Sequence, residues 1–144
     1  MTDVLTSLSP QLSAQGIETT LDVPTQTRIT ADRDMLRRAV LNLVLNALDA
    51  MPHGGTLTLA VRSDGDETEI RVTDSGSGIA ADVLPRLFEP FATGKDTGLG
   101  MGLLMSKRIV EEHGGTIVGR NRGGGGAEFV VRLPARAAEP AGAR

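Results

Sequence analysis

The apolar positions recur along the chain with periods that define its elements. Leu5, Leu8 and Leu12 share one side of a helix that Ser9-Pro10 is suited to start. Residues 17–23 read as a strand closed by Pro24, and Thr30 and Asp32 offer capping oxygens to a long helix over 32–51. Pro52-His53-Gly54-Gly55 stops that helix. Leu57, Leu59 and Val61 alternate with polar residues, so 56–62 is a half-buried strand. Asp64-Gly65-Asp66 turns the chain, and 69–73 returns as the antiparallel partner. Residues 83–91, with Pro85 and Pro90, form a short helical or irregular piece, and 92–100 has no period and reads as a loop. A second long helix over 101–113 ends at Gly114-Gly115. Residues 116–119 and 127–133 then pair around the glycine-rich turn 123–126, and the Ala, Pro, Gly and Arg composition from 135 reads as a frayed tail. Hairpin-paired strands with helices between the pairs predict a single α+β domain, a two-layer sandwich.

The long helix carries more than its periodicity requires. At ~100° per residue, Leu36, Val40, Leu43, Ala47 and Met51 fall within ~60° of one another and form the core stripe, which Leu41, Leu45 and Leu48 widen. Asn42, Asn46 and Asp49 cluster outside that arc at spacings of one and two turns. An ordinary solvated face would favour Lys, Glu and Arg, yet residues 39–50 contain none of them. Asparagine is a poor helix former that prefers caps and turns. Two of them one turn apart in an apolar helix describe a polar notch partly withdrawn from water. Amide and carboxylate oxygens are hard ligands of the kind magnesium takes while it bridges substrate phosphates.

Composition narrows the choice of ligand. The chain of 144 residues has 40% hydrophobic and 23% charged residues, which suits one soluble domain with a real core. Three Phe, no Trp and no Tyr leave little to stack on exposed bases. A formal charge of −3 from 15 basic and 18 acidic residues supplies no basic footprint, so nucleic acid is not expected as a partner. The absence of cysteine excludes disulfides and thiolate metal sites. No apolar run approaches the ~20 residues of a membrane span and no signal-peptide pattern opens the chain, so direct membrane contact is not expected.

Two glycine boxes point to a nucleotide. Asp74-Ser75-Gly76-Ser77-Gly78 follows a strand, so its carboxylate stands where sheet gives way to loop, and Gly76 and Gly78 allow close approach of a flat ligand. Such a carboxylate can accept a hydrogen bond from the exocyclic amine of adenine, a group guanine does not present there. An Asp-Ser-Gly turn alone would look the same. The run from Gly76 to Ala81 also fits the dinucleotide pattern G-x-G-x-x-A. Asp74 would repel a pyrophosphate, however, and Pro85 interrupts the helix that pattern needs. The second box, Thr97-Gly98-Leu99-Gly100-Met101-Gly102, stands directly before a helix, where free N–H groups and the helix dipole favour a triphosphate. Lys95 could reach a terminal phosphate, although Gly94-Lys95-Asp96 is not a P-loop. Residues 123–126 lie between strands and read as a turn.

Taken together, these boxes resemble the GHKL superfamily of ATP-binding domains, which includes gyrase, a heat-shock chaperone, histidine kinases and MutL. The run 41–50 looks like the asparagine box of sensor histidine kinases, and 74–78 looks like their first glycine box. Phe88-Glu89-Pro90-Phe91 looks like the phenylalanine box, 97–103 like the second glycine box, and 109–115 like the typical run that follows. The likeness covers roughly residues 30–134, and the short loop 92–97 is most similar to nitrogen-regulation and oxygen-sensing kinases. The resemblance implies the Bergerat fold: a mixed sheet with helices packed on one face, and ATP between the helices and a lid loop. By the same likeness Asn46 would ligate Mg²⁺, Asp74 would bind the adenine amine, and Gly76 and Gly78 would shape the base pocket. Thr97, Gly98, Leu99, Gly100 and Gly102 would cradle phosphates, and Asn42, Asp49 and Lys95 would assist. Asn42 and Lys95 are the candidates for a part in the chemistry, whereas Phe88 and Phe91 read as core at the base of the lid.

In the ATPase branches the position of Asn42 resembles a glutamate that activates water. An amide is no general base, so efficient hydrolysis is not expected. Neutral imidazole already offers a lone pair near pH 7, so transfer to histidine needs only positioning and charge neutralisation here. His53, in a turn, and His113, at a helix end, both read as structural, which leaves the acceptor on another domain. Residues 1–16 are expected to be the remnant of a connection to a dimerisation and phosphoacceptor hairpin, 17–134 the catalytic domain, and 135–144 a disordered tail. That domain would take ATP and Mg²⁺, serve a hairpin in cis or in trans, signal to a response regulator and work in the cytoplasm. An anti-sigma-factor type of serine kinase and a non-catalytic ATP-sensing module are the alternatives.

Overall fold

The computed structural model describes residues 9–22, 33–64, 67–81, 83–89 and 99–134. The elements run α1 (Ser9–Gln15), β1 (Ile17–Asp22), α2 (Arg33–Asp49), β2 (Gly55–Asp64) and β3 (Glu67–Asp74). A 3-10 turn (Leu84–Arg86), α3 (Leu99–Glu112), β4 (Thr116–Asn121) and β5 (Ala127–Pro134) follow. Leu5, Leu8, Pro24, Thr30, Asp32, Phe91, the turn residues 65–66, the loop 92–98 and the tail lie outside the described residues.

The five strands form one mixed sheet in the order β1-β2-β3-β5-β4. β1 runs parallel to β2, and the remaining pairs are antiparallel. Alternation decides which face is buried. On β3, Thr68, Ile70, Val72 and Asp74 are buried while the residues between them are not. Cross-strand pairing puts Leu57 and Leu59 beside Asp74 and Val72, and Phe129 and Val131 beside Val72 and Ile70. These side chains meet Leu36, Val40, Leu43, Ala47, Leu48 and Met51 of the α2 segment in one core. This is the expected α+β sandwich.

The α2 stripe is wider than its period alone required. Ala39 and Val44 are also fully buried, whereas Leu41 and Leu45 are only partly covered. The reason is a second neighbour: α3 lies along α2, and Ser106 Oγ donates to the Ala39 carbonyl at 2.9 Å. One side of α2 therefore meets the sheet and the adjoining side meets a helix. Leu43 has no exposed surface, and its truncation to alanine would cost about 2–5 kcal/mol.

The opposite face of the sheet carries charge in cross-strand rows. Glu128 Oε1 accepts from Arg120 Nη2 at 2.6 Å and Glu128 Oε2 from Thr73 Oγ1 at 3.2 Å. Glu69 accepts from Arg71 Nε at 2.8 Å and pairs with Arg132 Nη2 at 3.1 Å. The Arg71 bond and the positive charges around it hold Glu69 below the usual carboxylate range despite some burial. Burial pushes Glu128 up, but the bonds from Arg120 and Thr73 and the nearby positive charges outweigh it and hold that carboxyl low as well.

Candidate functional site

α2 ends where the first glycine loop begins, and the loop is bonded to that helix end. Ser77 N donates to the Ala50 carbonyl at 3.3 Å. Gly76 lies so close to the same carbonyl that a Cβ there would overlap it. Ser75 Oγ accepts from Thr56 N at 2.8 Å, which ties the loop to the start of β2 as well. Gly78 has φ +82°, a conformation glycine adopts without strain.

Asp74 closes β3 and is 2% exposed. Its Oδ1 accepts two backbone N–H groups, from Gly76 at 2.8 Å and Ala127 at 3.2 Å. Oδ2 accepts no hydrogen bond among the described residues. Burial pushes the carboxyl above its ordinary value, and the two N–H donors and the Arg122 charge only partly offset this. Arg122 Nη1 also donates to the Asp74 carbonyl at 3.2 Å. The result is a buried acceptor with one oxygen held and one left over.

A cavity of about 230 Å³ opens between the helix and the loop, lined by Asn46, Ala50, Ser77, Gly78, Ile79, Ala80, Val83 and Leu87. Pockets for whole drug-sized ligands run to roughly 300–1,000 Å³, so this one suits a base rather than a complete nucleotide. Asn46 is thus brought to the glycine loop. Asn42 faces elsewhere: a Cβ on Gly102 would lie 3.6 Å from its Cγ, so the second glycine box packs over it. Asp49 is the last residue of α2, one turn beyond Asn46. Asp74 is not among the cavity's lining residues; it ends the strand that leads into the loop forming its wall.

The second glycine box differs from the sequence expectation in one respect. α3 begins at Leu99 rather than at 101, so Leu99, Gly100 and Gly102 belong to its first turn. The N–H groups of Leu99 and Gly100 are among the four that a helix leaves without an intrahelical acceptor, so the anion-binding argument keeps its physical basis. Lys95, Thr97 and Gly98 lie outside the described residues. Phe88 is half-buried and meets Phe129 edge-on, with 6.3 Å between ring centroids, as a core residue does. His113 Nδ1 lies 2.7 Å from the Ile109 carbonyl within its own helix end. A larger groove of about 420 Å³ between the 3-10 turn and α3 contains none of the candidate residues.

Sequence reasoning passed over Asn121, Arg122 and Gly126. The run 123–126 is a turn, as read, but Gly126 also packs against the Asp74 carbonyl so tightly that a Cβ would overlap it. The hairpin is therefore part of the wall that holds Asp74. The one available signal was the row of glycines directly after Asn121-Arg122.

Residues 31–137 match the family of histidine kinase-, DNA gyrase B- and HSP90-like ATPases. The chain belongs to that family. The sensor histidine kinase ZraS of Klebsiella oxytoca is 40% identical over 136 residues, which is 93% of this chain and 29% of ZraS. The chain therefore spans less than a third of that relative's length. Among solved structures, the catalytic domain of the histidine kinase ThkA superimposes with a TM-score of 0.83 at 27% identity, covering 92% of this chain and 88% of that one. Full-length ShkA in complex with AMPPNP gives 0.80 at 33% identity, covering 96% of this chain and 30% of ShkA. ThkA has also been solved in complex with the response regulator protein TrrA. As a histidine-kinase-type ATPase domain, the chain has the fold and the order of boxes that its sequence implies.

Proposed function

We propose that this histidine-kinase-type domain binds Mg-ATP and donates the γ-phosphoryl group to a histidine on a separate dimerisation domain. The observation that carries the reading is Asp74. A buried carboxylate at the start of a glycine loop, with one oxygen fixed by two N–H groups and the other without a hydrogen bond among the described residues, suits recognition of the adenine amine. The AMPPNP complex of ShkA supports an adenine nucleotide as ligand. Adenine would enter the cavity between Asn46 and the loop 76–80, with Gly76 and Gly78 shaping that pocket. The phosphates would extend toward the first turn of α3, where Leu99, Gly100 and Gly102 would meet them with Thr97 and Gly98 of the same box. Asn42, Asp49 and Lys95 would assist there.

No cluster of three or more His, Asp or Glu side chains that could hold a metal exists among the described residues. The amide oxygen of Asn46 on the cavity wall fits magnesium, which usually takes few protein ligands beside waters and phosphates. When bound, the ion would neutralise phosphate charge. In the transfer, the bond from γ-phosphorus to the ADP oxygen breaks and a bond to the imidazole nitrogen forms. ADP leaves with the electron pair, and the ring gives up its N–H proton. Asn42 is an amide and takes no proton, so the domain's part is to position and to exclude water.

Residues 1–16 would be the end of a connection from the dimerisation hairpin, 17–134 the catalytic domain and 135–144 a tail. α1 is docked on the catalytic domain: Leu12 is buried in its core, and Gln15 Nε2 donates to the Leu48 and Met51 carbonyls at 3.2 Å each. A response regulator would receive the phosphoryl group next, as the ThkA complex with TrrA suggests. Among the described residues no helix is long and apolar enough to cross a membrane. A domain that consumes ATP would work on the cytoplasmic side.

Calorimetric titration with AMPPNP and Mg²⁺ tests the reading. Wild type should bind and prefer adenine over guanine nucleotides, and Asp74→Asn should lose most of that affinity. A wild-type protein that binds no adenine nucleotide would sink it.

A further inference from the structure

Asn121 ends β4, on the far edge of the sheet from β1, yet its side chain reaches the first glycine loop. Both polar atoms of its carboxamide are used on one residue. Ile79 N donates to Oδ1 at 2.6 Å, and Nδ2 donates to the Ile79 carbonyl at 3.0 Å. A paired residue of an antiparallel strand exchanges the same two bonds through its backbone. The carboxamide thus stands in for a peptide group and extends pairing to a loop residue that no strand reaches. It also packs against the preceding residue: a Cβ on Gly78 would come within 2.9 Å of Asn121 Oδ1. Gly78 and Ile79 both line the cavity that holds Asn46.

The rest of the hairpin holds the other end of the loop. Arg122 and Ala127 bond to Asp74, so the loop is anchored to the β4–β5 hairpin at both ends, through Asp74 and through Ile79. On its inner side it rests on Ala50 and Thr56. Of these anchors, only Asn121 fixes the orientation of the peptide that forms the cavity wall after Gly78.

We propose that Asn121 is a positioning residue for base recognition, setting nucleotide affinity and the preference for adenine by fixing the Gly78-Ile79 wall without touching the nucleotide. The inference rests on the reading of this cavity as the base site. Asn121→Ala removes both bonds. Asn121→Asp keeps an acceptor for Ile79 N but opposes a carboxylate oxygen to the Ile79 carbonyl, a mismatch that protonation relieves.

The test is titration of AMPPNP with Mg²⁺, of adenosine alone and of the guanine analogue into wild type, Asn121→Ala, Asn121→Asp and Asp74→Asn. Unfolding of each protein is followed without ligand. Both Asn121 variants should bind with full stoichiometry and with Kd raised about tenfold for AMPPNP, Asn121→Ala because both bonds to Ile79 are lost and Asn121→Asp because one is replaced by a repulsion. Adenosine should lose affinity by the same factor, and the adenine-to-guanine ratio should fall. For Asn121→Asp the loss should shrink as pH is lowered, a trend that a merely structural role would not produce. Reduced stoichiometry at unchanged Kd, or wild-type Kd and base preference in both variants while Asp74→Asn loses binding, would overturn this inference alone. Absence of AMPPNP binding in the wild type would overturn the nucleotide reading and this inference with it.

Discussion

Ser106 Oγ and the Ala39 carbonyl, 67 residues apart in the chain, form a fully buried hydrogen bond at 2.9 Å between the two long helices. Ser106 lies one turn beyond Gly102 on α3, and Ala39 lies one turn before Leu43 and three residues before Asn42 on α2. The bond therefore sets the register in which Gly102 passes over Asn42. A buried bond of this kind contributes about 1 kcal/mol. Ser106→Ala should lower unfolding free energy by about that amount in urea titration. It should also weaken AMPPNP binding while leaving adenosine binding intact. A variant as stable as wild type would mean that packing alone sets the register.

Asp74 and Glu128 should give stability opposite dependence on pH. Asp74 has its folded value raised above the ordinary 3.8, mainly by burial. Its contribution is fully present below 3.8 and is lost as pH rises through the raised value. Measured against wild type, Asp74→Asn should therefore gain relative stability across that window and then level off. Glu128 is held below the ordinary 4.5 because its bonds outweigh its burial. Its contribution is present above 4.5 and is lost as pH falls through the lowered value, so the deficit of Glu128→Gln should shrink on acidification. Urea unfolding at a series of pH values checks both. Parallel pH profiles for the two variants would contradict the assignments.

Gly76 faces the Ala50 carbonyl with no room for a methyl group. Gly76→Ala must push the loop off the end of α2, at a cost of about 1–3 kcal/mol. Because the shifted atoms form the cavity wall, AMPPNP affinity should fall by more than tenfold. Calorimetry on the folded variant, at a temperature well below its unfolding midpoint, separates the two effects. Unchanged affinity would place the base elsewhere.

Asn42 packs beside Gly102, and its amide cannot take a proton from water. Asn42→Glu should raise basal ATP hydrolysis, measured as phosphate release without an acceptor domain. An unchanged rate would show that a carboxylate there does not reach the water in line with the γ-phosphate.

The legible parts of the molecule are those written in local periods. Alternation in 56–62 and 69–73 located β2 and β3, and both strands extend a little beyond those limits. The three-to-four residue recurrence located α2 and its polar notch, because burial on one side of a regular element repeats in sequence. The start of α3 was less visible: Gly100 and Gly102 are weak helix formers, and tertiary packing on Asn42 overrides that preference. Asp74 could be picked out because its glycine box stands in order with the others; alone, an Asp-Ser-Gly turn would look ordinary. The support around it could not. Asn121 at the end of a strand looks like any turn-forming asparagine, and its bonds to Ile79 cross 42 residues. No local rule shows that separation.

The bonds that hold Asp74 have a consequence for the growing chain. Its Oδ1 is shared between Gly76, two residues on, and Ala127, 53 residues on, while its carbonyl waits for Arg122. A ribosome must extrude nearly the whole domain before the last of these partners appears. A nascent chain halted before β5 lacks Ala127, and so lacks the finished setting in which Asp74 is proposed to receive a base. Such a fragment would neither be stabilised by ATP nor compete for it. On the proposed reading of Asp74, nucleotide capture would require that synthesis has passed residue 127.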